Sequence, residues 1–162
     1  MNDNLGRLLS LGVSVLSSFT FLAGQASAQA EISNSGWSVD CLSPRFCEMK
    51  YEIRQGDAVA ATFSVVHVRG QMFLQYEIPL GIDLTRGVTI GIDAEPPVET
   101  ELLNCTGFGC VGTAPMTSKL VEDMKRGSSL QLVFSNPNSR DVLAIPVSLA
   151  GTAAAFQELS SR

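Results

Sequence analysis

The chain of 162 residues holds one histidine, His67, and that scarcity removes whole classes of chemistry. A site that needs two imidazoles cannot be assembled within one copy. Cations are scarce as well: 11 Lys and Arg stand against 16 Asp and Glu, a formal charge of −5 at pH 7. Nucleic acid and anionic lipid both reward clustered Lys and Arg, so neither is expected as the main partner. There is no C-x-x-C pair for thiol exchange, no G-x-S-x-G elbow, no HExxH and no glycine-rich phosphate loop. Without a positioned nucleophile and an orienting carboxylate, His67 in the run TFSVVHV reads as a buried or edge-strand side chain, not a general base. No catalytic residue, cofactor or metal-ligand set is assigned, and the expectation is a protein that is not an enzyme.

What is present begins with an uncharged stretch, residues 8–24, followed by Ala26-Ser27-Ala28, the small-residue pattern that signal peptidase accepts. Residues 1–28 are expected to be a cleaved signal peptide, with Ala28-Gln29-Ala30 as a second possible cut. Residues 29–162 are then a single domain, long enough to bury a real core and free of repeats or linkers. The rival reading, an uncleaved anchor, suits poorly a stretch this short and this rich in Ser and Gly. Phe21-Leu22-Ala23-Gly24 approaches a lipoprotein cleavage site, but Gln25 stands where the acylated Cys would be, so no stable membrane anchor is expected after cleavage. Cleavage removes one acid (Asp3) and one base (Arg7), leaving the charge at −5.

All four cysteines, Cys41, Cys47, Cys105 and Cys110, lie in the exported part. In an oxidising compartment they read as two disulfides, for which three connectivities exist. Pairing within the C-x5-C and C-x4-C units would staple two loops, each adding about 2–3 kcal/mol in the loop-entropy picture. Cross-pairing would constrain far more chain. Local pairing is the expectation. Zinc is the alternative for four thiolates, disfavoured by the spacings and by oxidation before metal arrives.

Period-2 alternation dominates the rest. Trp37, Val39 and Cys41 share a face of a first strand. In FCEMKYEIR, Cys47, Met49, Tyr51 and Ile53 oppose Phe46, Glu48, Lys50, Glu52 and Arg54. Further strands are expected over residues 58–68, 72–78, 87–93, 98–104, 129–135 and 141–147. Two helices are expected, over 117–126 behind a Thr117 cap and over 148–159 behind a Ser148 cap, the latter with Leu149, Ala153, Phe156 and Leu159 as its apolar stripe. About eight short strands with one or two short helices predict an all-β chain, an antiparallel β-sandwich of immunoglobulin-like or jelly-roll-like kind.

Several patterns in order resemble the invasion-associated locus B family of secreted bacterial proteins. They are W-x-V-x-C with a second Cys (Trp37, Val39, Cys41, Cys47); Ile78-Pro79-Leu80-Gly81-Ile82 followed by Gly87-Val88-Thr89-Ile90-Gly91-Ile92-Asp93; the block Cys105 to Cys110; and Ile145-Pro146-Val147-Ser148-Leu149-Ala150-Gly151 before residues 155–159. The resemblance implies a β-sandwich in the periplasm or outer envelope of a Gram-negative bacterium, some members being linked to host-cell invasion and none bringing a catalytic set. The matched Gly81, Gly87, Gly109 and Gly151 read as turn or close-packing positions. Trp37 reads as a core aromatic beside the first cysteine pair.

The acidic run from Asp93 to Glu101 lacks the D-x-[DN]-x-[DN]-G arrangement of a calcium loop and fits a solvated strand face. Asn104-Cys105-Thr106 matches a glycosylation sequon but is discounted for a bacterial chain with Cys105 bridged. The leading functional expectation is a non-enzymatic exported envelope protein that binds a protein of the envelope or of a host. The alternative is a small periplasmic ligand-binding or hydrolase-inhibitor module, which an apolar cleft between the sheets would favour.

Overall fold

The alternation in FCEMKYEIR is satisfied by burying one side of a strand. Met49 and Tyr51 are buried and Cys47 and Ile53 half-buried, while the ion-paired Lys50, Glu52 and Arg54 cover the other face. The computed structural model describes residues 32–43, 46–68, 71–139 and 141–161. The expected leader over residues 1–28 lies outside them, as do Pro44-Arg45 and Arg69-Gly70 of two expected turns.

Two antiparallel sheets face each other across the core. The larger contains β1 (Ile32–Asn34), β2 (Ser38–Ser43), β3 (Phe46–Gln55), β4 (Ala58–Val68), β5 (Gln71–Ile78), β8 (Glu101–Cys105) and β9 (Cys110–Pro115). Its order is β1-β3-β4-β5-β9-β8, with β2 also pairing β3. The smaller, in the order β11-β10-β6-β7, is made of β6 (Val88–Ile92), β7 (Val98–Glu99), β10 (Ser129–Ser135) and β11 (Val142–Ser148). Phe63, Val65, Leu74, Tyr76 and Ile78 from the first sheet share the core with Val88, Ile90, Leu130, Leu132 and Val147 from the second. This is a β-sandwich.

Eleven strands among the described residues replace the expected eight. The added ones are the three-residue β1 and the whole of β9, and the expected strand over 98–104 divides into β7 and β8. Trp37 precedes β2 and does not belong to it.

Helix α1 (Ser118–Arg126) follows its Thr117 cap, whose hydroxyl accepts the Leu120 N–H, and carries Lys125 and Arg126 at its negative end. The second helix corrects the expectation. Ser148 does not cap it, because Ser148 is the last residue of β11. The helix α2 (Thr152–Ser160) starts after Gly151, which sits at φ 89° with no side-chain cap. Its buried face is Thr152, Ala155, Phe156 and Leu159, whereas Ala153 is exposed. Thr152, fully buried, donates to the carbonyls of Met124 and Leu149 (2.8 Å each) and so ties α2 to α1.

Candidate functional site

The sandwich has two long sides, and they are built differently. On one, the chain passes from β7 of the small sheet to β8 of the large sheet through a single residue, Thr100. Tyr76 OH donates to Thr100 Oγ1 (2.6 Å), which donates to the Val88 carbonyl (2.8 Å), so one hydroxyl chain joins the sheets. Burial pushes the Tyr76 phenol above its ordinary pKa. The Tyr76 ring occupies the space a side chain at position 112 would take, which is why Gly112 faces it across β5 and β9.

On the other side the large sheet ends in β1 and β2 and the small sheet in β11, and neither β1 nor β2 pairs with β11. Trp37 laces one part of this seam: its ring lies 5.3 Å from that of Tyr51, and its Nε1–H donates to the Ser148 carbonyl (2.8 Å). The Ser148 N–H donates to Tyr51 OH (3.4 Å). Beside this lacing the seam opens into a cavity of about 410 Å3 with Tyr51, Ile53 and Ala61 as the floor, Ile32 on one lip and Ile145 and Pro146 on the other. A second hollow of about 450 Å3 shares Ala60, Ala61 and Pro79 with it and reaches Phe108. Phe108 is 94% exposed at the tip of the ring closed by Cys105 and Cys110. Tyr51 is the one titratable side chain among the described residues that line the seam cavity, which offers apolar contact and backbone polar groups, not acid–base chemistry.

The residues singled out from sequence are dispersed over the molecule. Cys41 is bonded to Cys47 and Cys105 to Cys110, each pair bridging directly opposed positions of a hairpin. The register puts these hairpins at opposite ends of the large sheet: Glu48, next to Cys47, pairs with Val66 near the end of β4, while Cys110 pairs with Ile78 at the end of β5. Bonded as cystines, the four sulfurs offer no thiolate set to zinc. Trp37 is half-buried at the seam, packed on Tyr51.

Gly81 and Gly87 take left-handed φ values of 100° and 68° at the two ends of the connection before β6. Gly109 is needed for a close approach, since a Cβ there would lie 2.6 Å from the Ile78 carbonyl oxygen. Asp93 is the described non-glycine residue with positive φ (46°), and its two carboxylate oxygens accept the N–H groups of Ser128 and Ser129. Glu95 pairs with Lys119 (2.6 Å), so two acids of the acidic run are committed to internal partners.

His67 is neither buried nor on an edge strand. It is exposed near the end of β4, which runs inside the sheet between β3 and β5. The sequence assigned no binding role to Ile32, to Ile145 and Pro146 of the matched family pattern, or to Phe108 at the tip of the second cysteine loop. Pro146 carried a usable signal, because proline within a strand marks an edge.

Two facing antiparallel sheets, two stapled hairpins and an open apolar seam define a disulfide-bonded β-sandwich. A family model described as invasion associated locus B (IalB) protein matches residues 37–160, and the chain belongs to that family. It is 25% identical over 156 residues to an invasion protein B homolog of Brucella abortus strain 2308, covering 92% of this chain and 90% of the relative. The same figures hold for the homolog of B. abortus biovar 1 strain 9-941. The fold matches the crystal structure of invasion associated protein b from Bartonella henselae with a TM-score of 0.69 at 23% identity, over 80% of this chain and 94% of that one. No helix among the described residues is long and apolar enough to cross a membrane.

Proposed function

We propose that this chain is a non-enzymatic exported protein of the periplasm or outer envelope that binds another protein, of the envelope or of a host cell, along its open seam. The observation that carries this reading is edge strand β11. Its outer side pairs with no strand among the described residues, and Val142 (68% exposed), Leu143 and Ala144 stand open beside the apolar cavity. An extended segment of a partner can hydrogen-bond to such an edge while its side chains enter the cavity. The leader expected over residues 1–28 supports export, and the names of the Brucella and Bartonella relatives support an invasion-associated role. A photo-cross-linking residue at Ala144 in intact envelopes should give one discrete adduct, and the same residue at Glu99 on the closed side should not. Equal yields, or none, would remove this reading.

The seam cavity also favours a second reading, a ligand-binding or inhibitor module, because about 410 Å3 of apolar space lies within the range of small-molecule sites. Native mass spectrometry of the purified chain separates the two: a copurified small apolar ligand supports the second and not the first.

A further inference from the structure

The far end of the large sheet holds a separate cavity of about 350 Å3 whose lining includes His67, Met72 and Met116. The register sets these three in one row. His67 on β4 pairs with Met72 on β5, and the Met116 N–H, just beyond β9, donates to the Met72 carbonyl (3.0 Å). Alternation places the row on the core side, since Phe63 and Val65 before His67, Leu74 and Tyr76 after Met72, and Ala114 before Met116 are all buried. At the end of the sheet the row reaches solvent: His67 is exposed, and Met72 and Met116 are half-buried. Met49 and Met124, by contrast, are fully buried and serve the core.

We propose that this row binds a soft monovalent metal ion, Cu(I) or Ag(I), through the imidazole of His67 and the thioether sulfurs of Met72 and Met116. Thioethers select such ions and are poor ligands for calcium, magnesium or zinc. Neighbouring positions in the row lie about 5 Å apart, and the rotatable bonds of methionine let two sulfurs converge on the imidazole. No carboxylate is among the described residues lining the cavity, so nothing there competes on behalf of a hard divalent ion. The cysteines are closed as cystines, which leaves thioether as the sulfur donor that survives an oxidising compartment.

The test is a titration of the purified, disulfide-intact chain with Ag(I), read by NMR of 13C-methyl-labelled methionine. The Met72 and Met116 methyls and the His67 ring should shift together and saturate at one equivalent, with Met49 and Met124 unmoved. Zn(II) should leave the methyls in place. Met72→Leu and Met116→Leu keep the side-chain volume and should each weaken Ag(I) binding by about tenfold or more, through the loss of one of three donors. The proposal is overturned by non-saturating shifts at those two methyls or by unchanged affinity in the double variant. Should the variants not fold, the methyl shifts of the unaltered chain decide alone.

Discussion

The two long sides of this sandwich carry one tyrosine each from the same row of the large sheet, yet one side is sealed and the other is not. Tyr51 and Tyr76 both lie opposite Phe63, one from β3 and one from β5. Tyr76 ends on Thr100, in the covalent crossing between sheets, and its hydroxyl chain continues to Val88. Tyr51 ends on Ser148, the last residue of a free edge strand, with a longer hydrogen bond (3.4 Å). A seam closed by chain continuity packs as core. A seam closed only by side chains keeps an apolar cavity beside it, and the difference marks where a partner can enter.

The largest expected effect comes from breaking the sealed side. In Gly112→Ala the new methyl would collide with the fully buried Tyr76 ring, which has no room to retreat. Overpacking of this kind should cost about 3 kcal/mol, read as a lower urea midpoint. A loss within about 0.5 kcal/mol would mean that the sealed side yields as readily as a surface position.

A pair of smaller substitutions compares the sides directly. Thr100→Val keeps the shape but takes away the acceptor of the buried Tyr76 hydroxyl, which should cost about 2 kcal/mol. Trp37→Phe removes the donor to an exposed carbonyl, Ser148, which water can replace, so about 1 kcal/mol is expected. Chemical denaturation of both variants checks the order, and a greater loss in Trp37→Phe would reverse the assignment of the stiff and open sides. A widened seam in Trp37→Phe should also change the cross-linking yield at Ala144, whereas Thr100→Val should leave it unaltered.

The two sides were unequally legible in the sequence. Strands with a large apolar residue at every second position, such as β3, β6 and β10, announce their buried face. Strand β9 does not, because its core face is Cys110, Gly112 and Ala114, small residues whose space is filled by Tyr76 from the neighbouring strand. Alternation of size across strands hides alternation of hydropathy along one. Ser148 misled for a related reason: a Ser ahead of an Ala-rich run reads as a cap, but the register of β11 with β10 continues through Ser148 opposite Ser129. The helix waits for Gly151, whose left-handed backbone turns the chain. The seam itself depends on which strands end as edges, a property of topology, and only Pro146 hinted at it. Likewise the row of His67, Met72 and Met116 joins two strands and the residue just beyond a third, a pairing no local pattern reveals.

The smallest expected effect is on the pH dependence of stability, and it belongs to the sealed side. Burial holds the Tyr76 phenol above its ordinary value of 10.0, so the folded chain keeps this proton more tightly than the unfolded chain does. Its contribution is therefore complete below about pH 10 and is lost as the pH rises through the folded-state value. Lys119, raised by its hydrogen bonds to Asp123 and Glu95, and Lys50, raised by Glu52, act in the same direction in an overlapping range. A single alkaline titration of stability would mix all three. Subtracting the profile of Tyr76→Phe isolates the phenol: the variant is offset at neutral pH by the lost bond to Thr100, and its stability should fall less steeply above pH 10. Parallel profiles would mean that the ring does not stay sealed from water and that the two sides of the sandwich are more alike than their hydrogen bonds suggest.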